Sequence, residues 1–176
     1  MAKINIKGIP QLKENIKGLF NEVIKDPDLL TDMAVKSLEF TQAMNRSGKS
    51  PSGKKHPTLS SEWIDRKEVL SLLNNTSDFY RKGASNVTFT GRLIRSLKFK
   101  IFANKATIEI NATGEHTGYK QGNGKRTKTI SNEKLVDYLK DQGRNIFGIN
   151  KQLQNILNKV VRSYLNKRIR SKFNLK

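Results

Sequence analysis

The chain has 176 residues, with 34 Lys and Arg against 15 Asp and Glu for a formal charge of +19, and it has no cysteine. Its length is that of one ordinary domain of about 150 residues, so a single domain over 1–176 is expected. Its 35% hydrophobic content lies below the roughly 45–50% of such domains, which implies segments left flexible or covered by partners. The absence of cysteine excludes a disulfide framework, a thiolate nucleophile, an iron–sulfur cluster and a Cys-type zinc site. Two histidines do not make a His-rich metal centre, and no apolar run approaches the roughly 18 residues of a membrane span.

The opening Met1–Lys7 lacks the apolar stretch of a signal peptide, so the chain is expected to be made in the cytoplasm, with no membrane partner. The charge is unevenly spread. Residues 1–78 hold 12 basic and 10 acidic side chains, residues 79–176 hold 22 and 5, and nine Lys or Arg follow Asp141 with no further acid. An excess of this kind creates long-range attraction for phosphate or acidic protein surface.

Ile4 and Ile6 alternate with polar residues as in a short strand, and Gly8 and Pro10 mark a turn into a helix. Leu12, Ile16, Leu19, Phe20, Val23 and Ile24 recur at helical spacing. Asp26-Pro27-Asp28 interrupts them, because a proline disfavours helical geometry in the residue before it. A second helix from about Asp28 offers Leu29, Leu30, Met33, Ala34, Leu38 and Ala43 for burial. Residues 45–57 carry two Gly, two Pro and no hydrophobic side chain, a composition that predicts a flexible basic loop. Ser60 or Ser61 then caps a third helix holding Trp63, Ile64, Val69, Leu70, Leu72 and Leu73, which ends at Asn74–Ser77.

An extended stretch from Val87 passes through Gly91 into a short turn or helix. Leu97, Phe99 and Ile101 alternate with basic residues, and a second β-prone run, Thr107–Ile110, follows a polar turn. This pattern predicts a β-hairpin around 97–111. A second exposed loop, Gly- and Lys-rich, is expected at about 114–129. Ser131 caps a helix with Leu135, Val136 and Leu139, which Gly143 stops. The last helix carries Ile149, Leu153, Ile156, Leu157, Val160, Val161, Tyr164 and Leu165 on one side and Lys151, Lys159, Arg162 and Arg170 on the other. The fold class expected is α+β: N-terminal helices, a small antiparallel sheet and a long amphipathic C-terminal helix.

Chemistry is tested against the same residues. Gly48–Lys55 has the Gly, four residues, Gly, Lys spacing of a phosphate-binding loop. Lys55 stands where Ser or Thr must hold magnesium, however, and His56-Pro57 stands where a helix must begin. His56 and Glu115-His116 lie in Gly- and Lys-rich segments with nothing in the sequence to orient them, whereas a catalytic or metal site needs groups converging on a rigid support. Asp65, Glu68 and Asp137 are read as surface charges. We therefore expect no enzyme activity and no cofactor, and assign no catalytic, cofactor-binding or metal-ligating residue. What remains is the basic surface. Lys49, Lys54, Lys55, Lys125, Arg126, Lys128, Lys159, Arg162 and Arg170 are candidate contacts to an acidic partner or to DNA. A nucleic-acid-binding protein acting through its basic half is one reading, although no helix-turn-helix, RNA-recognition or zinc-finger pattern accompanies the charge.

Three segments point elsewhere. Ile4-x-Ile6-x-Gly8-Ile9-x-x-Leu12 comes first, then Gly48-Lys49-Ser50-Pro51-Ser52-Gly53-Lys54-Lys55 with Leu59 and Trp63, then Thr90-Gly91-Arg92-Leu93-Ile94-Arg95-Ser96-Leu97. In this order they resemble the tail-completion or head-tail joining proteins of tailed bacteriophages. Gly143-Arg144-Asn145-Ile146-Phe147-Gly148-Ile149 is similar to the short turn that precedes the last helix in that family, without the usual proline. Correspondence is poorest over Leu70–Val87 and 118–128. The resemblance implies a structural subunit of the virion neck, a homo-oligomeric ring between portal or adaptor proteins and the tail, with possible contact to genomic DNA. Cyclic rings need two different complementary surfaces per subunit, and the unequal charge of the two halves offers such a difference.

Overall fold

The computed structural model describes residues 20–73, 92–116 and 128–173 with positions 14, 17, 18 and 125, apart from the side chains of 70–72, 92, 116, 172 and 173. The strand at Ile4–Ile6, the helix opening at Leu12, the extended approach to Gly91 and most of the 114–129 loop, Arg126 included, lie outside the described residues. The chain has an α+β fold in the order α1 (Pro27–Arg46), α2 (Ser61–Leu73), α3 (Arg92–Arg95), β1 (Leu97–Phe102), β2 (Thr107–Ala112), β3 (Glu115–His116), β4 (Ile130–Ser131), α4 (Asn132–Asp141) and α5 (Lys151–Phe173).

A helical segment ends at residue 23, and the chain turns at 24–26. There the Asp26 carboxylate accepts from the Asp28 N–H at 2.9 Å and caps α1, with Pro27 as its first residue. The break expected at Asp26-Pro27-Asp28 is thus also a helix start, since proline at the first position gives up only an N–H that has no helical partner. α1 buries Leu29, Leu30 and Ala34 as its periodicity predicts. It also buries Phe40, Thr41 and Asn45, and Ala43, expected inside, is exposed.

β1 and β2 form an antiparallel hairpin with Leu97 opposite Ala112, Phe99 opposite Ile110 and Ile101 opposite Ile108 on one face. Lys98 opposite Asn111, Lys100 opposite Glu109 and Phe102 opposite Thr107 share the other, so alternation gathers the charged side chains on one face as strand geometry requires, with Phe102 beside the Lys100 ammonium at 4.9 Å from its ring centroid. The tip turns through Ala106 at φ 48°. Short strands β3 and β4 pair antiparallel, so Glu115 and His116 belong to a strand rather than to the loop expected from 114. The Ser131 hydroxyl accepts from the Lys134 N–H at 3.2 Å to cap α4. At the other end Gly143 takes φ 75°, its N–H meets the Lys140 carbonyl at 2.9 Å, and the Arg144 N–H meets that of Leu139 at 2.8 Å. This is the left-handed helix end for which glycine is suited.

α1 lies against both strands of the hairpin and against α5. One cluster, Leu93, Ile94, Leu97 and Ile146, joins α3, β1 and the segment after α4, with Leu38, Ile110, Leu135, Val136, Leu139 and Phe147 around it. A second packs Val23 and Leu29 against Met33, Val160, Val161, Tyr164 and Leu165. The apolar stripe of α5 therefore covers α1, with Leu153 its fully buried member. Ile149, placed on that stripe by periodicity, lies outside the helix and is exposed. Asn150 caps α5 instead, its side-chain oxygen accepting from the Leu153 N–H at 2.9 Å.

The start of α1 is also held by charge. The Arg168 guanidinium meets the second Asp26 carboxylate oxygen at 2.7 Å, and hydrogen bonds from Tyr164 and Arg168 hold the Asp26 carboxyl down to about 2. A lowered acid binds fewer protons in the folded state, so this contribution is present above the unfolded value near 3.8 and is lost as pH falls toward 2. Asp26→Asn keeps the cap and removes the charge. It is expected to be modestly less stable at neutral pH, because solvent reaches the Arg168 side of the pair. Melting curves of the two proteins should converge on acidification to about pH 2, and a gap that persists there would place the loss in the cap.

Candidate functional site

The segment 45–57, expected to be a flexible loop, is folded onto the body of the protein. Lys49 and Lys55 form a small antiparallel bridge. Inside it the Ser50 N–H bonds the Lys54 carbonyl and the Gly53 N–H bonds the Ser50 carbonyl, both at 2.8 Å, and the His56 N–H bonds the Gly48 carbonyl at 2.9 Å. Gly48 and Gly53 take φ 79° and 94°, left-handed values that glycine adopts without steric cost. Closing the turn points Ser50, Pro51 and His56 inward and leaves the Lys49, Lys54 and Lys55 side chains exposed. After it the chain runs extended to Ser60, whose hydroxyl accepts from the Trp63 N–H at 3.3 Å and starts α2.

Asn45 connects this turn to a segment 101 residues away. Its side-chain N–H₂ donates to the Thr41 carbonyl at 2.8 Å and to the Ile146 carbonyl at 2.9 Å. With both donors used on carbonyls, the amide oxygen faces His56 and accepts from its Nε2 at 3.2 Å, which assigns that proton to Nε2. His56, which nothing in the sequence orients, is therefore oriented. Burial lowers its pKa below the usual 6.5, and the nearby Arg144 charge adds to the effect. The folded state holds it neutral, so its contribution to stability is present above about 6.5 and is lost as pH falls below that value.

The rest of 143–150 is fitted to the same turn. An Arg144 guanidinium nitrogen lies 3.5 Å from the Pro57 carbonyl. A Cβ at Gly148 would stand 3.0 Å from the Ser52 backbone nitrogen, so glycine lets the two backbones meet without one giving way by a few tenths of an ångström. A Cβ on Gly53 would lie 3.7 Å from the Asn150 side-chain nitrogen, which seats the lysine turn against the start of α5. Lys67 of α2 is buried at 4% exposure. Burial, followed by repulsion from Arg144, holds its ammonium down to about 8. Helical spacing does not mark it for burial, since Trp63, four residues before it on the same side of α2, is itself 37% exposed.

The predicted contact residues divide by location. Lys49, Lys54 and Lys55 share one exposed turn beside the N-terminus of α5, and Lys159, Arg162 and Arg170 lie exposed along that helix. Lys125 and Lys128 are exposed on the approach to β4, and Arg126 lies outside the described residues. Sequence reasoning missed Asn45, the residue that joins the turn to the segment before α5. A polar residue at a helix end reads as the beginning of a loop, and its carbonyl partner lies too far along the chain to be seen. Among the described residues no three His, Asp or Glu side chains come together as a metal site, and no helix is long and apolar enough to cross a membrane. No family model, curated protein or solved structure matches this chain.

Proposed function

We propose that the protein is a noncatalytic structural subunit of the neck of a tailed bacteriophage, a tail-completion or head-tail joining protein that assembles as a ring between portal or adaptor proteins and the tail. The observation that carries this reading is the union of two segments on which the resemblance rests. The Gly48–Lys55 turn and the Gly143–Ile149 segment are nearly a hundred residues apart, yet they form one unit through Asn45, Gly148 and Arg144. Their joint placement beside α5 gives each an architectural task and accounts for both sets of glycines without a reaction.

A second feature supports partner coverage. Val69 and Leu73, one turn apart on α2, are 55% and 46% exposed, and Trp63 on the same helix is 37% exposed. A ring neighbour is a physical means of covering such side chains, since a cyclic assembly sets one patch of each subunit against a different patch of the next. The test is the mass of the purified chain by sedimentation velocity and native mass spectrometry, with images of any assembly. A closed ring that joins isolated virion necks is the expected result. A chain that stays monomeric at high concentration and does not associate with necks overturns the reading.

A further inference from the structure

We infer that the exposed polar face of α5, extended by the Lys49–Lys55 turn, is a surface for the phosphate backbone of duplex DNA. The inference stands on charge and placement, independently of whether the subunit forms a ring.

Helical spacing puts Lys151, Lys159, Arg162 and Arg170 on one side of α5, interleaved with Gln152, Asn155, Asn158, Ser163 and Asn166. All nine are exposed. The first and last lie 19 residues apart, about 29 Å of helix at ~1.5 Å per residue. A helix face that is merely solvated usually mixes signs, with Glu or Asp placed to pair with Lys or Arg. This face has no acid: beside its cations and neutral hydrogen-bonding groups it carries Ile169, 36% exposed.

The structure separates these cations from a structural one. Arg168, off this face, is paired with Asp26. Among the described residues no carboxylate lies within ion-pair distance of Lys151, Lys159, Arg162 or Arg170.

The helix also starts against its own electrostatics. The first turn of α5 holds Lys151 and no acid, whereas the positive end of a helix favours negative charge. The turn seated on Asn150 then adds Lys49, Lys54 and Lys55 at that same end. A line of phosphates relieves this repulsion along the whole helix, while a single carboxylate would relieve it at one point.

The face favours duplex over single strands, because single-strand binding relies on aromatic platforms for the bases. The Tyr164 ring is instead half-buried and stacked by Arg168, 5.7 Å from its centroid. Without base-reading geometry, binding is expected to be independent of sequence and strongly dependent on salt.

The experiment is fluorescence anisotropy of the full chain with a mixed-sequence DNA duplex of about 20 base pairs, titrated across salt concentrations. The wild type is compared with the triple variant Lys159→Gln, Arg162→Gln, Arg170→Gln and with its charge-keeping counterpart Lys159→Arg, Arg162→Lys, Arg170→Lys. Far-UV circular dichroism is expected to be unchanged in both. The neutral variant should weaken binding at least tenfold and flatten the plot of log K against log salt by about 2 to 3, near 0.9 for each phosphate no longer neutralised. The charge-keeping variant should restore both. Wild-type duplex binding that the Gln variant retains in full overturns the inference. So does tighter binding of the single strand than of the duplex, or poly-glutamate that competes as well as duplex does. Failure here with rings still formed leaves the neck reading standing, and success by a monomer leaves that reading to its own test.

Discussion

Asn45→Ala is expected to lower the melting temperature by about 6–12 °C, the equivalent of about 3 kcal/mol in a chain of this size. Asn45 has 0% exposure, and its three bonds end on groups that have little access to replacement water. The Ile146 carbonyl and His56 Nε2 each lose a partner in the interior, and a buried polar group without a partner costs about 1–3 kcal/mol. The same change frees the turn from the segment before α5, so the His56 imidazole should titrate closer to its ordinary 6.5 when followed by NMR. Asn45→Asp separates the two contributions. A carboxylate can still accept from His56, favouring its charged form, but it cannot donate to the two carbonyls. Melting and titration of Asn45→Ala that match the wild type would mean that the turn and the segment before α5 are held together by something else.

Ile94→Ala should be comparably damaging. The side chain is fully buried at the point where α3, β1 and the 143–149 segment meet, so shortening it leaves a cavity in three elements at once. Truncation of such a side chain costs about 2–5 kcal/mol, and the urea midpoint should fall with an unchanged denaturant slope. Ile149→Ala is the control. Ile149 is 65% exposed, and its truncation should stay within about 0.5 kcal/mol. Equal losses from the two changes would show that the apolar stripe extends in front of Asn150 after all.

Ile94 and Asn45 also mark where sequence reading succeeds and where it stops. Ile94 lies in a segment whose turn-into-strand pattern was plain, and its neighbours Leu93 and Leu97 share its burial. Local signals were legible because their cause lies within a few residues. The break at Pro27, the Ser60 and Ser131 caps, the alternating hairpin and the glycine that ends α4 all belong to this kind. Asn45 was not legible, since its burial depends on the carbonyl of Ile146, which only the folded chain brings near. Composition described 45–57 correctly as polar and misjudged its consequence, because Ser50, Pro51 and His56 can be buried once backbone bonds and Asn45 satisfy their surroundings.

The charge follows the same division. By itself the sequence determined that the second half is strongly basic, that no acid follows Asp141, and that helical spacing gathers Lys151, Lys159, Arg162 and Arg170 on one side of the last helix. Only the tertiary structure decided which cations are already used: Arg168 is held by Asp26, and Lys67 is buried beside Arg144. It also decided that the lysine turn meets the start of α5. The physical reason is range. Periodicity, capping and charge density are set by neighbours in the chain, whereas ion pairing, burial of polar groups and the joining of two distant turns require the backbone to return upon itself.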